Sequence, residues 1–156
     1  MDYPHPAEDS ITVFMSGCGH HCPGCHNKEA QEIKAGTSIT VVDFLEELDN
    51  LTKKYKTNNI VFQGGDPLFY PNIPFMKEFL SIQKVYNICI YTGYDIKFVK
   101  NNFRKGDAKF WKCGMFDINN ARESRKTDTE FVLASPNQNW YNTNFKKISK
   151  DGVLTF

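Results

Sequence analysis

Short apolar runs alternate with longer amphipathic stretches along this chain of 156 residues. The short runs are rich in β-branched and aromatic residues, which predicts strands. They cover Ser10–Met15, Asn59–Gln63, Asn87–Thr92, Lys112–Phe116 and Thr129–Ala134, and Gly152–Phe156 could pair at a sheet edge. Because helical stretches separate most of these runs, the pattern predicts an α/β fold.

The amphipathic stretches predict three helices. In the first, Thr40 and Asp43 predict a capped start, and apolar residues recur with helical spacing at Val41, Phe44, Leu45, Leu48, Leu51 and Tyr55. Pro74–Gln83 predicts a second helix with proline in its first turn, and Asp95–Asn101 predicts a short third helix. Strands that alternate with helices predict crossover connections and a mostly parallel sheet.

The length limits how far such a sheet can close. An eight-unit barrel takes about 200 residues or more, so we expect a partial, open (β/α) barrel and a single domain over residues 1–156. In such sheets ligands bind beyond the carboxyl ends of the strands. Three polar segments follow predicted strands and should meet there: the loop after Met15, Gly64–Pro67 and Thr92–Tyr94.

Charge and hydropathy exclude several classes of protein. Lys and Arg number 19 against 18 Asp and Glu, a net charge of +1, whereas nucleic-acid binders usually have a strong basic excess. No run approaches the roughly 18 apolar residues of a membrane span. The start, Met1–His5, lacks the features of a signal peptide. We therefore expect a cytoplasmic protein with neither a nucleic-acid nor a membrane partner.

The most informative chemistry is a loop with three cysteines, Cys18, Cys22 and Cys25, in the spacing Cys-x-x-x-Cys-x-x-Cys. Thiolates suit zinc and iron–sulfur clusters, and five cysteines in all, an odd number, make a poor disulfide framework. A structural zinc site needs four ligands, and one of His20, His21 or His26 could supply the fourth. A cluster held by three cysteines would instead leave one iron open. The loop leaves both possibilities open: a non-catalytic zinc-binding module, or a cluster with an open iron.

Other residues have simpler interpretations. Cys89 and Cys113 lie in predicted strands, where a lone cysteine is usually a small buried residue. A basic stretch should form a solvated face, with a docking surface for an acidic partner as the alternative; it comprises Lys97, Lys100, Arg104, Lys105, Lys109 and Lys112. Gly64–Pro67 has the composition of a tight turn.

The cysteine loop resembles the signature of radical S-adenosylmethionine enzymes. More narrowly, Ser16–Cys18 together with Cys22–Asn27 resembles the activating enzymes of the anaerobic, class III ribonucleotide reductase, and the length is similar to the T-even bacteriophage members of that family. Gly64–Pro67 is similar to the family's Gly-Gly-Glu-Pro motif with Asp66 in place of Glu. Tyr91–Tyr94 and Ala134–Gln138 resemble two further family segments, the latter without a known role. Phe116–Asn120 departs from the family's Asp-Gly-x-Phe pattern.

The resemblance implies a function and a set of site residues. Cys18, Cys22 and Cys25 would hold a [4Fe-4S] cluster whose open iron binds S-adenosylmethionine as cosubstrate. Gly24, Cys25 and His26 would contact that cosubstrate, and Gly64, Gly65 and Asp66 would hold its methionine end, with Asp66 bracing the turn.

The activity implied is reductive cleavage of S-adenosylmethionine and formation of a glycyl radical on the anaerobic ribonucleoside-triphosphate reductase. Its partners would be the large subunit of that reductase and a low-potential electron donor such as reduced flavodoxin, in the host cytoplasm if a phage encodes the chain. No catalytic acid or base is needed beyond the cluster ligands. Activation of a different glycyl-radical enzyme stays open as an alternative.

Overall fold

The computed structural model describes residues 5, 6 and 9–156. Met1–Pro4 and Ala7–Glu8 are the remaining positions, so the prediction that the chain does not start with a signal peptide lies outside the described residues. In chain order the strands are β1 (Ile11–Met15), β2 (Asn59–Gly64), β3 (Asn87–Thr92), β4 (Phe110–Cys113), β5 (Arg125–Lys126), β6 (Glu130–Val132), β7 (Asn139–Asn142) and β8 (Val153–Thr155). The helices are α1 (Val41–Tyr55), α2 (Ile73–Ile82) and α3 (Ile96–Asn102).

The central sheet has five strands in the order β1-β2-β3-β4-β7. The first four run parallel, and β7 joins the edge of β4 in the antiparallel direction. The predicted α/β fold with a mostly parallel sheet is confirmed. Because β1 to β4 are parallel, their carboxyl ends lie at one edge of the sheet, where the three polar segments leave it.

The fourth strand differs from its prediction. The sequence predicted Lys112–Phe116, but β4 spans Phe110–Cys113. The chain leaves the sheet at Gly114, whose N–H donates to the carbonyl of Tyr94 (3.1 Å). Apolar residues continue through Met115 and Phe116, so the end of the strand could not be recognised from hydropathy.

Three helices cover one face of the sheet. Thr40 caps α1 as predicted, with its Oγ1 accepting from the N–H of Asp43 (3.1 Å). Val41 and Leu48 of α1 are buried with apolar residues of α2, α3 and the strands. The predicted stripe is wrong at its end, because Tyr55 is exposed and Thr52 faces the core instead. Burial of this face stabilises the layer by about 25 cal/mol per Å² of apolar surface.

A second, three-stranded sheet in the order β5-β6-β8 lies over the opposite face. Phe131, Leu133 and Leu154 from this region pack with Trp140 of β7 and with side chains of β2 and β3. The predicted strands at Thr129–Ala134 and Gly152–Phe156 are therefore present, in shorter form, and pair with each other. The sequence analysis missed β5 and β7.

His5 is buried at the end of the sheet opposite the cysteines. Its Nε2 donates to the carbonyl of Asn87 (3.0 Å), and Lys126 Nζ donates to the His5 carbonyl (2.9 Å). Burial lowers the pKa of His5 to about 4, with Lys109 and Lys126 acting in the same direction and the Asn87 hydrogen bond against them. This contact fixes the described N-terminal residues to the base of β3.

Among the described residues, none of the helices has both the length and the apolar character needed to cross a membrane.

Candidate metal centre

The three polar segments meet, as predicted, at the carboxyl ends of the parallel strands. They line one pocket whose empty space is about 750 Å³, including its open mouth. The pocket is lined by all three cysteines of the loop, by Gly64–Asp66 and by Thr92 and Gly93. A space of this size is typical of sites for small molecules and cofactors.

Backbone hydrogen bonds fix the start of the cysteine loop. The N–H of Gly17 donates to the Ala30 carbonyl (2.7 Å), and the N–H of Cys18 donates to the Gln31 carbonyl (3.0 Å). The N–H of His20 then donates to Cys18 Sγ (3.5 Å). Partial burial raises the pKa of the Cys18 thiol, and the N–H groups of His20 and His21 oppose that rise. The loop thus already directs N–H donors at one of its sulfurs.

The glycine turn lies directly against this loop. The N–H of Gly65 donates to the Met15 carbonyl and the N–H of Asp66 to the Gly17 carbonyl, both at 2.8 Å. A Cβ at Gly65 would come 2.5 Å from the Ala30 carbonyl oxygen and closer still to that of Gly17. Glycine at position 65 therefore permits the close approach of the two segments.

Asp66 connects the ends of β2 and β3. Its side chain is 1% exposed, and its carboxylate accepts from the N–H groups of Leu68 (2.8 Å) and Gly93 (2.9 Å) and from the Thr92 hydroxyl (2.9 Å). It also accepts from His20 Nε2 (2.8 Å). Asp66 braces the turn, as the sequence analysis expected, because these donors use both of its oxygens.

Two polar residues in the pocket were not recognised from the sequence. Lys112 was assigned to a solvated face, but this assignment is wrong: the side chain is buried, lines the pocket and lies over the ring of Tyr91. Burial lowers its pKa to about 8, although nearby acidic groups, among them the Cys113 thiol and the Asp66 carboxyl, raise it. Among the described residues, the buried Gln63 Oε1 has no hydrogen-bond partner. Both residues lie in strands that the sequence predicted, and the signal that could have found them is a polar residue beside buried apolar neighbours, namely Phe62 for Gln63 and Trp111 and Cys113 for Lys112.

The segment Ala134–Gln138 supports the far wall of the pocket. The amides of Asn137 and Gln138 donate to the carbonyls of Met115 (2.9 Å) and Gly114 (3.3 Å). The Ser135 hydroxyl accepts from the N–H of Asp117 (3.2 Å). This segment therefore fixes the chain that follows β4, including the stretch that departs from the family pattern.

Of the remaining predicted site residues, His26 reaches this pocket and Gly24 lies outside its lining. Gly24 lies against the side chain of Ile118, which a Cβ at position 24 would approach to 2.5 Å. Asn27, which was not predicted as a site residue, donates from Nδ2 to the Gly64 carbonyl (3.1 Å). Cys89 and Cys113 are buried, as expected of cysteines in strands.

The donor set of the pocket suits an iron–sulfur cluster. Cys18, Cys22 and Cys25 are free thiols that line it together, and thiolates are the ligands of such clusters. Of the zinc alternatives, the His20 ring is hydrogen-bonded to Asp66 and His21 Nδ1 lies 3.2 Å from Gln31 Oε1. Within residues 5, 6 and 9–156, no three His, Cys, Asp or Glu side chains are grouped to hold a single metal ion.

Comparison with known proteins identifies the family. The family model described as "4Fe-4S single cluster domain" matches residues 10–140, which includes the cysteine loop and the glycine turn. This chain belongs to that family. No solved structure matches significantly.

Several curated proteins are similar over about half of the chain. The anaerobic ribonucleoside-triphosphate reductase-activating protein of Escherichia coli K12 is 32% identical in a 92-residue alignment that covers 54% of this chain and 58% of that protein. The protein of the same name from phage T4 is 29% identical over 58% of this chain and 60% of its own length. A 7-carboxy-7-deazaguanine synthase from Aquifex aeolicus is 31% identical over 54% of this chain and 36% of its length. The chain thus spans less than two thirds of these relatives.

Proposed function

We propose that this chain is an activating protein of an anaerobic ribonucleoside-triphosphate reductase. It would cleave S-adenosylmethionine reductively at a [4Fe-4S] cluster and generate a glycyl radical on the reductase. The observation that carries the proposal is that the cysteine loop and the Gly64–Asp66 turn line one pocket. The names of the relatives from E. coli and phage T4 support the choice of reductase.

The residues of the pocket have separate tasks in this proposal. Cys18, Cys22 and Cys25 hold three irons of the cluster and leave one open. When bound, the cluster supplies the electron that breaks a carbon–sulfur bond of S-adenosylmethionine. The backbone carbonyls of Gly64 and Gly65, which line the pocket, would accept from the ammonium group of the methionine end, and Gly24 and His26 would flank the adenine.

Lys112 gives the methionine end of the cosubstrate a second anchor. Its side chain is buried and lines the pocket. Its ammonium group donates a long hydrogen bond to the Gly114 carbonyl (3.3 Å). A buried cation gains most from a carboxylate partner. We assign Lys112 to the carboxylate of S-adenosylmethionine.

Two further predictions of the sequence belong to the same proposal. Residues 1–156 would act as one domain, and the mostly parallel sheet, whose outer strands among the described residues are β1 and β7, would be part of a partial, open (β/α) barrel. The partners would be the reductase and a low-potential electron donor such as reduced flavodoxin, in the cytoplasm.

Anaerobic reconstitution tests the proposal. We expect a brown protein with about four irons per chain that forms 5′-deoxyadenosine when reduced with S-adenosylmethionine. Cys18→Ala should abolish both properties, whereas Cys89→Ala, at a buried cysteine outside the pocket lining, should retain them. A colourless protein with one tightly bound zinc and no cleavage would instead support the zinc-binding module.

A second experiment tests the partner. The reconstituted protein is incubated with the anaerobic reductase and, separately, with another glycyl-radical enzyme, and a glycyl radical is sought by electron paramagnetic resonance. A signal on the reductase alone supports the proposal. A signal only on the other enzyme would reassign the target and leave the cleavage chemistry in place.

A further inference from the structure

The ring of His20 fills a slot between the cysteine loop and the end of β3. It is 12% exposed, its Nε2 donates to Asp66 Oδ2 (2.8 Å), and its centroid lies 4.4 Å from that of Tyr94 in an edge contact. A Cβ at Gly93 would come 2.6 Å from the His20 ring. Because glycine has no Cβ, position 93 leaves room for the His20 ring in this position.

The same residue contacts the first cysteine through its backbone. The N–H of His20 donates to Cys18 Sγ (3.5 Å). The residue whose ring is hydrogen-bonded to Asp66 therefore also contacts a cysteine sulfur through its backbone. Hydrogen bonds to cysteine sulfurs help to set the reduction potential of iron–sulfur clusters. Asp66 follows β2 and also accepts hydrogen bonds from Thr92 and Gly93 at the end of β3. The hydrogen bond between His20 and Asp66, which we call the anchor, therefore connects the cysteine loop to both strands.

We propose that His20 and Asp66 are positioning residues for the cluster. Their hydrogen bond holds the start of the cysteine loop, with Cys18, against the pocket in the metal-free chain, and it keeps the His20 N–H directed at Cys18 Sγ after loading. The second half of this inference rests on the proposed function, while the first half concerns the metal-free protein alone.

The neighbouring histidine provides a matched control. His21 lies in the same loop, one residue closer to Cys22, but it is exposed. Its Nδ1 lies 3.2 Å from Gln31 Oε1, outside the Asp66 network, and its backbone N–H, which also acts on the Cys18 thiol, is retained when the side chain is replaced. A general effect of removing a histidine from this loop would appear at both positions, whereas loss of the anchor would appear only at His20.

The test uses His20→Phe, His20→Gln and His21→Phe. Phenylalanine fills the slot without a donor, and glutamine restores an N–H donor for Asp66. In the metal-free protein we expect Cys18 of His20→Phe to react with a thiol reagent about tenfold faster than in wild type, the factor that corresponds to one lost hydrogen bond to a carboxylate. His20→Gln should recover most of the difference, and His21→Phe should react like wild type.

The loaded protein gives the second readout. We expect the cluster of His20→Phe to have a lower reduction potential than that of wild type, because a hydrogen bond to sulfur favours the reduced cluster. A redox titration followed by electron paramagnetic resonance measures it, and the thermal midpoint of each variant verifies folding.

The outcomes separate this inference from the proposed function. If wild type carries the cluster and cleaves S-adenosylmethionine, but His20→Phe matches it in thiol reactivity and potential, the inference is overturned and the function stands. If His20→Phe and His21→Phe change equally, the anchor is also rejected. If wild type binds no cluster while His20→Phe still exposes Cys18, the anchor stands and the proposed function fails.

Discussion

Gly65→Ala should separate the glycine turn from the cysteine loop. The added Cβ would lie 2.5 Å from the Ala30 carbonyl oxygen, about 0.8 Å less than the roughly 3.3 Å of a favourable carbon–oxygen contact. It would also meet the Gly17 carbonyl, which accepts from the N–H of Asp66. Both neighbours are backbone, so relief requires that one segment moves.

The cost follows from this overlap. Insertion of a methyl group into a well-packed site costs about 1–3 kcal/mol, and 1 kcal/mol shifts the midpoint of a domain of this size by about 2–4 °C. We expect Gly65→Ala to lower the thermal midpoint by about 2–12 °C. Because Gly17 directly precedes Cys18, iron bound after reconstitution should fall as well.

Gly36→Ala is the matched control. Neither Gly65 nor Gly36 has a positive φ, but the added Cβ at Gly36 would meet the side chain of Ser16, chiefly its hydroxyl at 2.7 Å. The hydroxyl donates to the Ile33 carbonyl (2.8 Å) in an exposed hydrogen bond, so its rotation costs at most that bond and we expect a change of about 0.5–1 kcal/mol. Differential scanning calorimetry and iron analysis compare the two variants. A Gly65→Ala protein with the midpoint and iron content of wild type would refute the steric argument.

Three further predictions follow from the pocket, the base of the sheet and α1. Lys112→Met should weaken binding of S-adenosylmethionine about tenfold or more, since a charged hydrogen bond contributes about 1.5–3 kcal/mol. Lys97→Met, at an exposed position, is the control. If calorimetry gives Lys112→Met and Lys97→Met the same affinity, the assignment is contradicted. The pKa of His5 is about 4 in the folded chain, whereas an unperturbed histidine has a pKa of 6.5, so the unfolded chain binds the proton first as pH falls. The free energy of unfolding should therefore decrease by about 2–3 kcal/mol as the pH falls from about 6.5 to 4. Urea unfolding at several pH values measures this decrease. The unfolding free energy of His5→Gln should depend less on pH over the same range, and an equal dependence would contradict the argument. Thr40→Ala should destabilise the protein by about 0.5–2 kcal/mol through loss of the cap, and unchanged urea unfolding would show that α1 does not depend on it.

The site was predictable where the chemistry is local in the sequence. Three cysteines within eight positions and a Gly-Gly-Asp-Pro turn each carry a recognisable pattern. Their meeting at one edge followed from parallel strands alone, since all such strands present their carboxyl ends together. The α/β class and the bounds of β3 were obtained for the same reason, from continuous apolar runs between helices.

What the sequence did not reveal depends on short strands and distant contacts. Lys112 was grouped with the basic residues near it in the sequence, although Trp111 and Cys113 on either side of it are buried, and its own burial depends on what packs over the sheet. The missed strands β5 and β7 have two and four residues, too few for a periodic signal. The hydrogen bond from His20 to Asp66 joins residues that are 46 positions apart, and no local pattern encodes it.

The Asp66 network has a consequence for the order in which the protein matures. Its bonds to Thr92 and His20 span 26 and 46 positions, so they form only after β1, β2 and β3 have come together. Such non-local contacts are completed late in folding, because chain closure has to precede them. A nascent chain that ends before Thr92 would thus present its three thiols without this support. If the loop binds the proposed cluster, cluster insertion should therefore be efficient only after the sheet has assembled.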